Sequence, residues 1–123
     1  MHLIIGGAYQ GKTDYAKAQY SLADEDIYTC CTAEIPQDVK ALRHLERFAR
    51  SCAAQGRSAV AVWKELGISP EVVICDDVFC GIVPMEPEER LWREETGRLL
   101  TAIAADAARA TRIFCGLPME LKT

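Results

Sequence analysis

The sequence has no run of about 18 apolar residues, the length that a membrane-spanning helix needs. It has no basic excess either, because 14 Lys and Arg stand against 18 Asp and Glu, for a net charge of −4. A nucleic-acid-binding protein normally shows a basic stripe or excess, so this balance argues against that class. The apolar stretch before the first glycines is too short for a signal peptide. We therefore expect a soluble, cytoplasmic protein.

Patterns typical of zinc sites and disulfide frameworks are also missing. The chain has six cysteines but no Cys-x-x-Cys pair, and its two histidines are too few for the usual zinc-ligand spacing. Adjacent cysteines rarely bridge each other, and oxidised frameworks belong to secreted proteins. We predict that the cysteines in apolar, strand-like runs are small buried hydrophobic residues; these are Cys30, Cys31, Cys75 and Cys115.

Short apolar segments and helical patterns alternate along the chain, with no repeat or linker between them. Buried parallel strands are predicted at Leu3–Ile5, Ile27–Cys31, Val72–Cys75 and Arg112–Cys115. Helices are predicted at about Lys12–Leu22, Gln37–Gln55, Ser58–Leu66 and Pro87–Arg109. The only further strand candidate is a weak one at Ser58–Val62. The alternation predicts one α/β domain over residues 1–123, with a mainly parallel sheet of about four to five strands.

Residues 6–13 match the phosphate-binding pattern Gly-x-x-x-x-Gly-Lys-Ser/Thr completely, between a predicted strand and a predicted helix. Glycines let the backbone wrap around phosphates, and the start of the helix adds positive partial charge there. We expect the Lys12 ammonium to reach the β- and γ-phosphates and the Thr13 hydroxyl to bind Mg²⁺. The pattern predicts a three-layer P-loop NTPase-like domain that takes ATP or GTP. Its predicted nucleotide-binding residues are Gly6, Gly7, Ala8, Tyr9, Gln10, Gly11, Lys12 and Thr13.

Two acidic residues, Asp76 and Asp77, follow the third predicted strand. An acid that ends a strand beside a phosphate loop commonly binds Mg²⁺, directly or through water. Asp76 is therefore a candidate metal ligand, and Asp77 is a candidate catalytic residue for a substrate hydroxyl. The alternative is that either carboxylate only caps nearby backbone N–H groups. The loop and the acids do not by themselves choose between a kinase, an ATPase, a GTPase and a regulatory switch.

Several motifs in the second half of the chain give the phosphate loop a family context. They are Gly81-Ile82-Val83-Pro84, Trp92-Arg93-Glu94, Gly97-Arg98 and Cys115-Gly116. Together with the loop, they resemble the adenosylcobinamide kinase/adenosylcobinamide-phosphate guanylyltransferase family of cobalamin biosynthesis. The resemblance covers residues 1–34 and 71–122, and the combination of motifs is much more specific than the loop alone.

The resemblance implies a two-step activity. A nucleoside triphosphate first phosphorylates the aminopropanol hydroxyl of adenosylcobinamide, and GTP then donates GMP to that phosphate through a GMP-histidine intermediate. The family histidine lies on a helix after the second strand, and His44 stands at nearly the corresponding distance from the loop. Lys12, His44 and Asp77 are then the implied catalytic residues. Mg²⁺ is the implied cofactor, a corrinoid and a nucleoside triphosphate are the ligands, and a homo-oligomer is suggested.

Several alternatives stay open at this point. His44 is either the GMP acceptor, with Arg43 and Arg47 near the α-phosphate, or a solvated histidine on a polar helix face. The chain is either a kinase, with or without guanylyl transfer as a second step, or a nucleotide-binding regulatory or vestigial relative without turnover. A third reading is an unrelated small P-loop kinase. His2 is interpreted as an ordinary N-terminal residue. The family also carries another acid-tipped core strand, which the sequence here does not predict.

Overall fold

Four α-helices and six β-strands are assigned in the described residues of the computed structural model, which are residues 1–77 and 86–123. In chain order they are β1 (His2–Gly6), α1 (Lys12–Tyr20), β2 (Ile27–Thr29), β3 (Ala41–Arg43), α2 (Leu45–Ala54), α3 (Ala59–Leu66), β4 (Val72–Asp76), α4 (Pro87–Asp106), β5 (Arg109–Phe114) and β6 (Leu117–Lys122). The Gly81-Ile82-Val83-Pro84 motif lies outside the described residues. No helix in the described ranges is long and apolar enough to cross a membrane.

The strands form one sheet in the order β2-β3-β4-β1-β5-β6. Every neighbouring pair is parallel except β5 and β6, which are antiparallel. The predicted α/β class and mainly parallel sheet are confirmed, and the architecture is that of a P-loop-like domain. The central strand β1 pairs with β4 on one side and β5 on the other, so Gly6 is in register with both Asp76 and Ile113.

Helices cover both faces of the sheet. On one face, α2, α3 and α4 contribute Phe48, Trp63 and Leu99 to a buried cluster that also contains Leu3 and Val73 from the central strands. On the other face, α1 covers a smaller cluster, with Ala16 packed among Ile4, Ile74 and Ile113. Near-continuous apolar runs in β1 and β4 are what burial on both faces requires.

The predicted helix over Gln37–Gln55 is wrong in its first half, because Ala41–Arg43 is the core strand β3. Ala41 and Leu42 are fully buried between β2 and β4. A short apolar run of this kind fits helical spacing as well as a buried strand, so periodicity does not separate the two. His44 has the left-handed backbone conformation (φ 60°, ψ 45°), and α2 begins directly after it. The sheet therefore contains a core strand before His44 that the sequence did not predict.

The weak strand candidate at Ser58–Val62 is also wrong, because this segment is the start of α3. The Ser58 side chain accepts a hydrogen bond from the Ala61 N–H and so caps the helix. Strand β6 was not predicted, because its six residues are all exposed at the sheet edge and leave no buried apolar run to detect. Cys30 and Cys75 are buried as predicted. The burial predicted for Cys31 and Cys115 is wrong: Cys31 lies two residues beyond the end of β2, and Cys115 lies in the turn between β5 and β6.

Candidate functional site

The phosphate-loop motif (residues 6–13) connects the carboxyl end of β1 to the start of α1. Glycine is required at the beginning of the motif, because a Cβ on Gly6 would lie 2.6 Å from the Ile113 carbonyl oxygen of β5. Gly11 precedes α1 with a φ of 91°, a conformation that side chains disfavour. Close strand packing and the entry into the helix therefore account for two of the motif's glycines without any ligand.

The turn between β5 and β6 holds the phosphate-loop motif from the side. Gln10 accepts two backbone hydrogen bonds from this turn: its side-chain Oε1 from the Cys115 N–H, and its carbonyl oxygen from the Gly116 N–H at 2.9 Å. Cys115 and Gly116 both have positive φ values, 51° and 76°, which form the tight turn. The motif is thus held by the hairpin as well as by its own strand and helix.

Lys12 is nearly buried, with a side-chain exposure of 7%. Its Nζ donates to the Gly7 carbonyl oxygen at 2.6 Å and lies 2.9 Å from Oδ1 of Asp76. Asp76 ends β4, the strand beside β1, so the sheet register alone brings this acid to the loop lysine. The structure thus brings two predicted site residues, Lys12 and Asp76, into direct contact.

Glu46 is a site residue that sequence reasoning missed. It lies in the first turn of α2 and is 6% exposed. Its Oε1 accepts a hydrogen bond from the Asp76 N–H at 2.9 Å, and its Oε2 lies 2.9 Å from Nδ1 of His44. Asp76 was predicted as a site residue because it is an acid at the end of a predicted core strand. Glu46 shortly follows β3, so the same criterion would have identified Glu46 if the sequence had predicted β3 as a strand.

One cavity of about 410 Å³ brings most of the predicted site residues together. It is lined by Ala8, Tyr9, Gln10, Gly11, Lys12, Thr13, Asp14, Arg43, His44, Arg47, Ile74 and Asp76. The volume is typical of a small-molecule site. Asp77 is not among its lining residues in the described part of the chain. The Asp77 N–H donates to the Gly6 carbonyl oxygen at 2.7 Å, and its carboxylate lies 3.4 Å from Nη2 of Arg112.

The oxygen donors of the cavity fit a magnesium ion. The hydroxyl of Thr13 and the carboxylate of Asp76 belong to the same lining, and Mg²⁺ prefers oxygen ligands of this kind. Within the described residues, His44, Glu46 and Asp76 also offer ligand atoms that lie within 4.8 Å of one another. That group includes an imidazole nitrogen, which the hard Mg²⁺ ion does not favour, so Thr13 and Asp76 are the candidate oxygen ligands for Mg²⁺.

The cysteines next to this cavity are not poised for thiolate chemistry. Burial raises the pKa of Cys30 to about 12 and raises the pKa of Cys75 well above its usual range, with the Glu46 carboxylate adding to both effects. The thiolate is the reactive form of cysteine, so neither group serves as a nucleophile near neutral pH. Both are structural residues of the core.

The fold and the site together define a P-loop-like α/β protein with a phosphate-loop motif at the carboxyl edge of its sheet. The family described as cobinamide kinase / cobinamide phosphate guanyltransferase matches residues 38–121. This match spans more than half of the 123 residues, so the chain belongs to that family and the resemblance seen in its motifs is confirmed. The family uses nucleotide substrates, binds cobinamide and acts in cobalamin biosynthesis. No curated protein matches the chain significantly.

The position of His44 differs from the one that the resemblance implied. The implied histidine lies on a helix after the second strand, but residues 30–40, which join β2 to β3, contain no helix. His44 instead follows the third strand, β3, and precedes α2. The predicted placement of His44 within a helix is wrong, and so is the alternative of a solvated histidine on a polar helix face, since His44 has a left-handed backbone conformation and lines the cavity.

Proposed function

We propose that the chain uses a nucleoside triphosphate to phosphorylate the aminopropanol hydroxyl of adenosylcobinamide. The observation that carries this proposal is the common cavity formed by the phosphate-loop motif, Thr13 and Asp76 in a member of the cobinamide kinase family. The lining also includes three cationic residues, Lys12, Arg43 and Arg47, against the two acids Asp14 and Asp76. An anionic ligand therefore finds a local positive excess on a protein whose net charge is −4.

In the phosphorylation step, the backbone N–H groups of residues 6–13 bind the triphosphate. Lys12 exchanges its contact with Asp76 for phosphate oxygens, since its ammonium already lies beside the loop. Thr13 and Asp76 would hold Mg²⁺, which when bound neutralises phosphate charge. Asp77 is the candidate group for the substrate hydroxyl, and its carboxylate lies 3.4 Å from Nη2 of Arg112.

We extend the proposal to guanylyl transfer, with His44 as the GMP acceptor. His44 lines the same cavity as Lys12, and Arg43 and Arg47 lie on either side of it in the chain. Arg43 is itself oriented, because its Nε donates to Oγ1 of Thr29 at 2.6 Å. Guanidinium groups bind phosphate oxygens with two parallel hydrogen bonds, which suits a site that holds an α-phosphate for attack.

A second candidate function is nucleotide binding without turnover. The observation that favours it is the direct 2.9 Å contact between the Lys12 ammonium and the Asp76 carboxylate. This ion pair neutralises the lysine charge and also engages the carboxylate that would bind the metal. If phosphate did not displace this ion pair, the pocket would accept a nucleotide but would not assemble for transfer. Such a protein would be a regulatory or vestigial relative within the family.

A labelling experiment separates these functions. The pure protein is incubated with Mg²⁺ and GTP carrying ³²P at the α-phosphate, and then with adenosylcobinamide and ATP or GTP. Acid-labile label on the protein that is absent in His44→Ala supports guanylyl transfer, and phosphorylated cobinamide without protein label leaves the kinase alone. His2→Asn, which removes the other imidazole of the chain, is the matched control and should keep the label.

The remaining outcomes of this experiment are equally distinct. Tight nucleotide binding with neither product supports the protein without turnover. Absence of nucleotide binding in the folded protein contradicts both functions, because each requires the phosphate-loop motif to hold a triphosphate. Circular dichroism of each variant shows whether a lost signal reflects chemistry or unfolding.

A further inference from the structure

We infer that Glu46 is a positioning residue that sets the tautomer of His44 and directs its Nε2 atom at the nucleotide. The inference rests on the proposed guanylyl transfer, which makes His44 the acceptor. It concerns a residue that lies outside the phosphate-loop motif and is absent from the cavity lining. The Glu46 carboxylate acts through the two groups that its oxygens contact, His44 and Asp76.

The first support is that both carboxylate oxygens of Glu46 are used. The side chain is nearly buried, with 8% exposure, and it spans the gap between the end of β3 and the end of β4. Oε1 accepts the Asp76 N–H at 2.9 Å, and Oε2 lies 2.9 Å from Nδ1 of His44. A buried carboxylate with one oxygen fixed by the backbone leaves the other oxygen with little freedom to move.

The second support is that the backbone of Glu46 is also held. Trp92, on α4, donates its indole Nε1–H to the Glu46 carbonyl oxygen at 2.8 Å. The Trp92 ring is covered in turn by the Arg50 guanidinium, which lies 4.7 Å from the ring centroid. Glu46 is therefore anchored through its main chain by α4 and through its side chain by β4. Such support from two directions fixes a group to the precision that chemistry demands.

These contacts determine which imidazole nitrogen carries the proton. An ionised carboxylate only accepts hydrogen bonds, so the 2.9 Å contact requires a proton on Nδ1 of His44. The other nearby carboxylate oxygen, Oδ2 of Asp76, is 3.9 Å from Nδ1 and too far for a hydrogen bond. With Nδ1 protonated, the neutral ring carries its lone pair on Nε2. Nε2 is then the nucleophile.

The chemical step follows from this arrangement. Nε2 attacks the α-phosphorus of GTP, so an N–P bond forms while the bond from that phosphorus to the bridging oxygen breaks, and pyrophosphate leaves with the electron pair. The Nδ1 proton stays on the ring, and the positive charge that develops there faces the Glu46 carboxylate. When an oxygen of the cobinamide phosphate attacks the same phosphorus, the electron pair returns to Nε2. No net proton transfer by Glu46 is needed.

Nuclear magnetic resonance of ¹⁵N-histidine-labelled protein tests the inference without relying on turnover. Long-range proton–nitrogen spectra at mildly alkaline pH distinguish the two neutral tautomers, and the chain has only two histidines to assign. His44 should be protonated on Nδ1 in the wild type and should shift towards the Nε2-protonated form in Glu46→Gln. Glu65→Gln, an exposed change on α3, is the control and should leave the His44 spectrum unchanged.

The labelling reaction supplies the functional readout. Loss of the hydrogen-bonding partner of a metal-binding histidine typically costs about 10- to 100-fold in activity, and we expect an effect of similar size for the nucleophile His44. Glu46→Gln should therefore reduce the rate of protein-bound GMP formation by about that factor. The nucleotide Kd should change by less than about threefold, which corresponds to a change in binding free energy of less than roughly 0.7 kcal/mol. Equal losses in Kd and rate would overturn the positioning role, because a merely structural residue would weaken binding as well.

The outcomes keep this inference separate from the proposed function. If the wild type forms His44-bound GMP and Glu46→Gln forms it at the same rate, the role of Glu46 is wrong and the proposed function stands. If the wild type forms no bound GMP, the guanylyl proposal fails, and the wild-type spectrum still decides the orientation of His44. A wild-type His44 protonated on Nε2 overturns the inference in either case.

Discussion

Lys12 connects the phosphate-loop motif to the end of β4, since its ammonium contacts the Gly7 carbonyl oxygen and the Asp76 carboxylate. The lysine itself could be predicted from the motif, and so could the acid at the end of β4. Their direct contact could not, because it depends on β4 lying beside β1 in the sheet. A sequence motif identifies candidate residues, whereas the order of the strands in the sheet determines which of these residues are in contact.

Replacing Lys12 should weaken nucleotide binding strongly. Lys12→Met removes a charge-assisted hydrogen bond to phosphate, worth about 1.5–3 kcal/mol, which corresponds to roughly a 10- to 100-fold rise in Kd. Titration of the protein with a fluorescent GTP analogue measures the change. Lys17→Met, on the same helix but paired with Asp24, is the control. An unchanged Kd in Lys12→Met would show that phosphate does not bind beside this residue.

His2 is a second residue whose position the sequence did not indicate, and its interpretation as an ordinary N-terminal residue is wrong. It is buried between Tyr20 and Thr111, with 2.6 Å between its Nδ1 and the Tyr20 hydroxyl and between its Nε2 and Thr111 Oγ1. Thr111 donates to Glu120 at 3.2 Å, and Arg109 pairs with the same carboxylate. These contacts join β1, α1, β5 and β6.

The stability of the protein should fall as the pH is lowered through the range where His2 titrates. Burial, and then the Arg109 charge, lower the pKa of His2 below its ordinary value of 6.5. The unfolded chain therefore binds the proton more readily, and the free energy of unfolding decreases from about pH 6.5 downwards through the folded-state pKa. Urea unfolding at several pH values measures this dependence. In His2→Asn the slope over that range should be shallower, and an identical slope would contradict the assignment.

At the scale of elements, the sequence was most informative where an apolar run is bounded by clear turn signals. Strands β1 and β4 and helix α3 lie where they were predicted. Gly6 marks the end of β1, and Ser58 and Gly67 bound α3. Strand β3 was hidden inside a helical pattern, since three buried residues carry too little periodicity to separate strand from helix. Because the sequence prediction missed this strand, it placed His44 within a helix.

The hairpin of β5 and β6 is an element that we expect to influence nucleotide binding. Gln10→Ala removes the hydrogen bond from the Cys115 N–H to the Gln10 side chain but leaves the one from Gly116 to its carbonyl oxygen. The loss of one such bond, about 1 kcal/mol, should raise the nucleotide Kd by about fivefold through a looser loop. Gln19→Ala, on α1, is the matched control. Equal nucleotide Kd values for both variants would show that the hairpin does not order the motif.

The packing of β1 against β5 should make Gly6 intolerant of a side chain. In Gly6→Ala the new Cβ would meet the Ile113 carbonyl oxygen at 2.6 Å, so the strands must shift, at a cost of about 1–3 kcal/mol in the free energy of unfolding. In Gly7→Ala the nearest atom is the flexible Gln10 side chain at 3.5 Å, and little change in stability is expected. Denaturant unfolding of both variants measures the difference, and similar stabilities would contradict the strand register.

At the scale of the whole molecule, the parallel sheet gathers residues that lie far apart in the sequence. Lys12, His44, Glu46 and Asp76 come from three segments and meet because β1, β3 and β4 all end at the same edge. Strand β3, which the sequence did not predict, places the start of α2 and with it Glu46 at this edge.

The central claim is that this pocket transfers phosphate from a nucleotide to a corrinoid. The most direct measurement is transfer of ³²P from the γ-phosphate of ATP or GTP to adenosylcobinamide, with the corrinoid isolated by chromatography. We predict labelled cobinamide phosphate with the wild-type protein and Mg²⁺, and a rate at least about 10-fold lower with Lys12→Met, in line with the loss of one charge-assisted hydrogen bond. Folded protein that binds the nucleotide but leaves the corrinoid unlabelled would contradict the account.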